Sequence, residues 1–136
     1  MAITQSIEQL ENDYWEGTDF PTGLVERCFL YRKIPIGRLT PEQLRTLISQ
    51  QIGLRYLIPV AVKILKQNIL TEADLYEGDL LASVLEVGGT FWQQHPAIRF
   101  QVRQLSIDKK DFIEQCNDRN QFRQLLKKMD AFASEG

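Results

Sequence analysis

Two cysteines, five prolines and a single histidine are all that 136 residues contain of those types. Cys28 and Cys116 stand alone with no CxxC spacing, which excludes a zinc cage or a disulfide framework as the organising principle. Two reduced, buried thiols in a cytosolic protein are the expectation. Long hydrophobic runs are missing too. The longest purely apolar one, Leu57 to Val62, falls far short of the roughly 20 residues that span a bilayer. Met1 to Glu8 shows no basic region followed by an apolar stretch, so no secretory signal is expected and the cytoplasm is the expected compartment. There is no excess of positive charge: 16 Lys and Arg stand against 18 Asp and Glu, for a net charge of -2 and a pI near 5.4. Direct binding to nucleic acid needs the opposite balance.

Catalytic apparatus is equally sparse. His95 is pinned before Pro96, with no legible orienting partner or substrate proton. Cys28 falls on an apolar helix face, where burial raises a thiol's pKa and makes it inert. Gly88-Gly89 lacks the preceding strand and following GK[ST] of a phosphate loop. Glu72, Asp74, Glu77 and Asp79 are close enough in sequence to hold a hard cation. An EF-hand starting at Asp74 nevertheless fails, because Leu85 occupies the place of the bidentate Glu and the glycine falls one residue early. No enzyme, no cofactor and no metal site are expected. A metal-dependent hydrolase using those four acids is the reading set aside.

What is present suits one folded unit. Apolar residues make up 43% and charged residues 25%, ordinary for a globular protein and ample for one core, so a single domain over residues 1–136 is expected. Apolar spacing is helical nearly everywhere. Ile3, Ile7, Leu10 and Tyr14 mark a first helix ending near Gly17, and Leu24, Cys28 and Tyr31 a second, halted before Pro35. Thr40-Pro41-Glu42-Gln43 is a capping box with Pro at the first helical position; Leu44, Leu47 and Ile48 follow, and Gly53 suits the end. Leu54 to Gln67 is apolar on almost every side and should be surrounded by other helices. Pro59 either kinks it or lies in its first turn, and Asn68 suits its left-handed close. A loop spans 71–78. Asp79 can cap a helix carrying Leu80, Leu81, Val84 and Leu85 that Gly88-Gly89 ends. Thr90 can cap one turn holding Phe91 and Trp92. Ile98, Val102 and Leu105 form another stripe, although Arg99 to Ile107 is the stretch closest to strand character. Phe122, Leu125, Leu126, Met129 and Phe132 form the last, with Asp118 and Gln121 at capping-box spacing. The expected fold is all-α: about seven short helices around one almost wholly apolar central helix.

Charge is blocky. Residues 1–30 carry a net -5, residues 31–69 +6, residues 70–96 -5 and residues 97–136 +2. Such segments build a bipolar surface if the fold keeps them apart, or neutralise one another across helix seams. The acids of 70–96 are either a solvated loop favouring nearby helix N-termini or a patch for a basic partner. Arg119, Arg123 and Lys127, at steps of four, read as a solvated outer face in preference to an anion site. Trp15, Phe20, Phe91 and Trp92 suit core positions better than an interface.

Several runs together carry a resemblance: Leu10-Glu11-Asn12-Asp13-Tyr14-Trp15, Ile52-Gly53-Leu54-Arg55-Tyr56-Leu57-Ile58-Pro59, Tyr76-Glu77-Gly78-Asp79-Leu80-Leu81-Ala82-Ser83-Val84-Leu85, and Phe91-Trp92 with Pro96. In order and spacing the chain resembles the CdiI immunity proteins of bacterial contact-dependent growth inhibition (CDI), over about residues 7–96. Residues 97–136 then read as a C-terminal extension. The resemblance implies a cytosolic antidote that binds the C-terminal toxin domain of a cognate CdiA, in many systems a nuclease and often an RNase. An acidic patch can occupy the basic surface such a toxin offers to phosphates. Glu72, Asp74, Glu77, Asp79 and Glu86 are the first candidates to face the toxin. Asp13, Glu16 and Asp19 come next, with the C-terminal helices, because the EGD run can instead serve the fold: Gly78 for a turn and Asp79 for a cap. The alternative function is a small helical adaptor or regulatory protein for a cellular partner.

Overall fold

The computed structural model describes residues 4–17, 19–117 and 120–134; Ile3, Asp118 and Arg119, each invoked above, lie outside them. Among the described residues there are eight α-helices and no strand: α1 (Ile7–Glu11), α2 (Gly23–Tyr31), α3 (Pro41–Ser49), α4 (Leu54–Gln67), α5 (Asp79–Leu85), α6 (Gly89–Gln94), α7 (Pro96–Gln115) and α8 (Arg123–Ser134), with a 3-10 turn at Ile36–Arg38. The all-α expectation is met. α7 is the exception to shortness: the uncertain stretch from Arg99 to Ile107 is helical, starting from Pro96 at its first position and burying Val102, Leu105, Ser106 and Ile113.

Local chemistry sets most boundaries. Thr40 and Gln43 form the expected capping box at α3, and Ser6 with Gln9 forms a second one at α1. Other ends differ from expectation. α1 stops at Asn12, which takes the left-handed conformation (φ 52°), so Tyr14 leaves the helical stripe and is exposed. Gly53 does not close α3; with φ 62° it opens α4. Asn68 is extended rather than left-handed, and its side-chain oxygen accepts the Leu70 N–H at 3.1 Å. α5 ends at Leu85 with Glu86 as its C-cap, Gly88 is the cap residue of α6, and Thr90 lies inside that helix. Pro59 sits inside α4, where its missing N–H leaves the carbonyl of the exposed Arg55 without a helical partner.

α4 packs on α3, α5 and α7, while α5 packs on α3, α4 and α8. α4 buries Leu54, Leu57, Ile58, Ala61, Val62 and Leu65 and keeps Arg55, Lys63 and Lys66 outside. α5 is enclosed further: every residue from Asp79 to Val84 is buried. α7 and α8 run antiparallel, as Arg103 donates from Nε to the Ala133 carbonyl (2.9 Å) and Lys110 meets Asp130 (2.8 Å). Ile113, Phe122, Leu125, Met129 and Phe132 join the same apolar cluster as Ile7, Leu47, Leu57 and Leu80. Trp92 lies edge-on to Phe132, with ring centroids 5.0 Å apart, and donates its indole N–H to the Val87 carbonyl. No helix among the described residues is long and apolar enough to cross a membrane.

Candidate protein-interaction site

The α4–α5 connection, residues 68–78, is built inward from a buried carboxylate. Asp79 is the first residue of α5 and only 2% exposed. Its oxygens do not cap α5. They accept the backbone N–H groups of Ala73 (2.7 Å), Asp74 (3.1 Å) and Leu75 (2.8 Å). Burial pushes the Asp79 pKa up, but these amides, with that of Tyr76, outweigh it and hold the carboxyl below its ordinary value. Asp79 therefore leaves the set of acids available to a partner, because its charge is spent on the loop. Gly78 reaches the left-handed conformation (φ 91°) that opens α5, and its N–H closes the loop on the Leu70 carbonyl at 3.2 Å.

Arg45 of α3 clamps the loop from the side. It binds Asp74 through both Nε and Nη2, the latter at 3.0 Å, and its Nε lies 3.9 Å from Asp79. The hydrogen bond to Asp74 raises the Arg45 pKa further, against the opposing effect of burial. Asp74 is thus an exposed residue whose charge is already matched. Glu72 and Glu77 pair across an isolated antiparallel bridge; both are exposed and neither makes an ion pair among the described residues. Like charges directly opposite each other are unfavourable unless a cation joins them.

Above this frame Leu75 is 63% and Tyr76 53% exposed. A groove of about 570 Å³ runs beside them, walled by Leu70, Glu72 and Glu77 on one side and Cys116, Gln121 and Phe122 on the other. A second, of about 350 Å³, shares Tyr76, Glu77 and Phe122 and continues along α8 to Gln124 and Lys128. Leu75 and Tyr76 are exposed apolar residues that sequence reasoning did not single out. Their signal was an apolar pair inside an acidic stretch without helical spacing.

The remaining candidates lie elsewhere on the chain. Glu86 follows α5, with its side chain 61% exposed and 3.8 Å from Lys128. Asp13, Glu16 and Asp19 belong to the α1–α2 connection and are exposed. The Asp13 carbonyl accepts from Arg32 Nη2 at 2.7 Å and its carboxylate lies 3.8 Å from the same atom. Arg32 itself is 1% exposed, reaches Glu11 at 3.3 Å and lies 4.0 Å above the Trp15 ring. Among the other aromatics Trp92 is buried, Phe91 half-buried, and Phe20 packs on Phe29.

The chemistry of the residues set aside is plain. Cys28 is buried, and burial pushes its thiol pKa up. His95 stacks on Phe91 at 4.4 Å. Arg123 and Lys127 are exposed. No group of three His, Cys, Asp or Glu among the described residues gathers to hold a metal ion. What the α4–α5 loop offers is a fixed, partly apolar, acid-edged surface.

No curated protein and no solved structure matches the chain. The family model of the CDI immunity proteins matches residues 6–102, from the N-cap of α1 into the first two turns of α7. That span contains the Arg45 clamp, the acidic loop and all of α5, whereas the opposite wall of the groove comes from residues beyond it. By this match the chain belongs to the CDI immunity proteins, a membership that implies neutralisation of a CdiA toxin.

Proposed function

We propose that this protein is a non-catalytic inhibitor that binds the C-terminal toxin domain of its cognate CdiA one-to-one and covers its active or substrate-binding surface. The observation that carries the reading is the family match over residues 6–102. The toxin is a nuclease, most simply an RNase, and is basic, because a surface that binds phosphates must be. Glu72 and Glu77 offer such a surface carboxylates that make no ion pair among the described residues, with Asp74 and Glu86 beside them in sequence and Asp13, Glu16 and Asp19 as a secondary acidic set. Unmatched acids speed association with a basic partner and compete with its polyanionic substrate. The complex forms in the cytoplasm, without direct contact to nucleic acid or membrane.

Co-expression in a sensitive host tests this. Cells carrying the cognate toxin domain should grow only when this protein is present. Growth arrest despite its soluble expression would exclude the neutralising role and favour an adaptor with another cellular partner.

A further inference from the structure

An exposed loop with two large apolar side chains normally relieves their hydration by turning them inward. Here the backbone forbids it. Three N–H groups, those of Ala73, Asp74 and Leu75, are fastened to the buried Asp79 carboxylate. Arg45 holds Asp74 from outside, and Glu72 is bridged to Glu77. The loop is therefore ordered before any partner arrives, which removes an entropic penalty from binding. Protein interfaces of high affinity place a few rigid aromatic or aliphatic anchors at the centre and charged groups at the rim. The 71–77 loop has that layout, with the groove against Phe122 alongside to receive the partner's own side chains.

Exposed apolar side chains also occur at Tyr14, on α2 (Val25, Leu30) and on α7 (Phe100, Ile107, Phe112), and the α7 surface does not fit a basic partner. Phe100 is 59% exposed, but the cleft beside it carries Lys66 and Lys109 against Asp108 alone. Positive charge there repels the toxin that the acidic loop attracts.

We propose that Leu75 and Tyr76 are the apolar centre of the toxin-docking surface, with Glu72 and Glu77 as its acidic rim and Asp79 as the positioning residue that holds them outward. This rests on the toxin-neutralising reading above and names the part of the surface that does the work.

The test is titration of the cognate toxin domain against the full chain and its Leu75→Ala, Tyr76→Ala, Phe100→Ala and Asp79→Asn variants, each with its unfolding midpoint measured. Tyr76→Ala should raise Kd by about 30-fold or more, mainly through faster dissociation, and Leu75→Ala by about 10-fold, both without loss of stability. Phe100→Ala, equally exposed, should stay within about threefold. Asp79→Asn should weaken binding in the wild-type background but have little further effect once Tyr76 is Ala, a coupling that a general loss of stability does not produce. Leu75→Ala and Tyr76→Ala both within threefold of wild type would overturn the proposal. So would a wild-type dimer, seen by sedimentation, that Tyr76→Ala dissolves while toxin affinity stays unchanged. If the wild-type chain itself fails to bind the toxin, the functional reading falls first, and the two failures are thereby distinguished.

Discussion

Leu75 donates its backbone N–H to the buried Asp79 carboxylate at 2.8 Å although the residue as a whole is 63% exposed. One residue thus belongs to the fold through its backbone and to the surface through its side chain. The same division holds through the loop, where the amides of Ala73 and Asp74 point to Asp79 and the side chains of Glu72, Tyr76 and Glu77 remain outside.

Asp79→Asn should destabilise the fold by about 2–3 kcal/mol at neutral pH, since three hydrogen bonds lose their charge assistance and one acceptor oxygen becomes a donor. The pH dependence follows from the lowered pKa of Asp79. A carboxyl depressed in the folded state contributes its full stability above the unfolded value of about 3.9 and loses it as pH falls through the folded value. The difference between wild type and Asp79→Asn should therefore be flat from about pH 8 to 5 and shrink below about pH 4. Urea unfolding at several pH values measures it.

Gly78→Ala combines two effects. At φ 91° an L side chain is strained, and its Cβ would stand 2.8 Å from Leu125 Cδ2 of α8. A loss of about 1–3 kcal/mol is expected in urea unfolding. A neutral result would mean that α8 yields freely at this contact.

Arg32 joins α2 to the segment after α1 through the Asp13 carbonyl, Glu11 and the Trp15 ring. Glu11 is partly exposed, so the ion pair itself contributes little; the carbonyl bond and the packed guanidinium contribute more. Arg32→Ala should cost about 2–4 kcal/mol and shift tryptophan emission to the red as Trp15 loses its cover. Arg32→Lys should recover only part of the loss, because an ammonium cannot stack as a plane.

The capping box at Thr40, the stripe of α4 and the runs that resemble the CDI immunity family were legible because each is written in residues close together in the chain. What was not legible depends on partners brought from afar. Asp79 looks like a cap in any local reading, and only the fold turns its carboxylate toward residues 73–75. Arg45 and Asp74 are 29 residues apart, so no spacing rule joins them. Gly53 illustrates a different limit: a left-handed glycine serves either side of a helix junction, and here it begins α4. The exposure of Leu75 and Tyr76 was hidden because a loop without periodic spacing gives no face by which to place an apolar side chain inside or out.

Residues beyond the family match are built into the core. Removing everything after residue 102 takes away Ile113, Phe122, Leu125, Met129 and Phe132, each no more than 7% exposed. We expect the truncated chain to lose cooperative thermal unfolding by circular dichroism. A sharp transition in it would show residues 6–102 to be a self-sufficient unit with an appended hairpin.

Reversing Glu72 and Glu77, which make no ion pair among the described residues, isolates the electrostatic part of docking. Glu72→Lys with Glu77→Lys should weaken toxin binding by at least 30-fold, with desolvated charge pairs worth about 2–5 kcal/mol when one side is lost. It should also flatten the dependence of association on salt. A change below threefold would mean that these carboxylates are merely solvated.

Calorimetric titration of the wild-type protein with the toxin domain encoded beside it tests the central claim most directly. The account predicts a one-to-one complex of nanomolar affinity or tighter, weakened by salt. No detectable heat with a correctly folded toxin domain, or binding that leaves its activity intact, would contradict it.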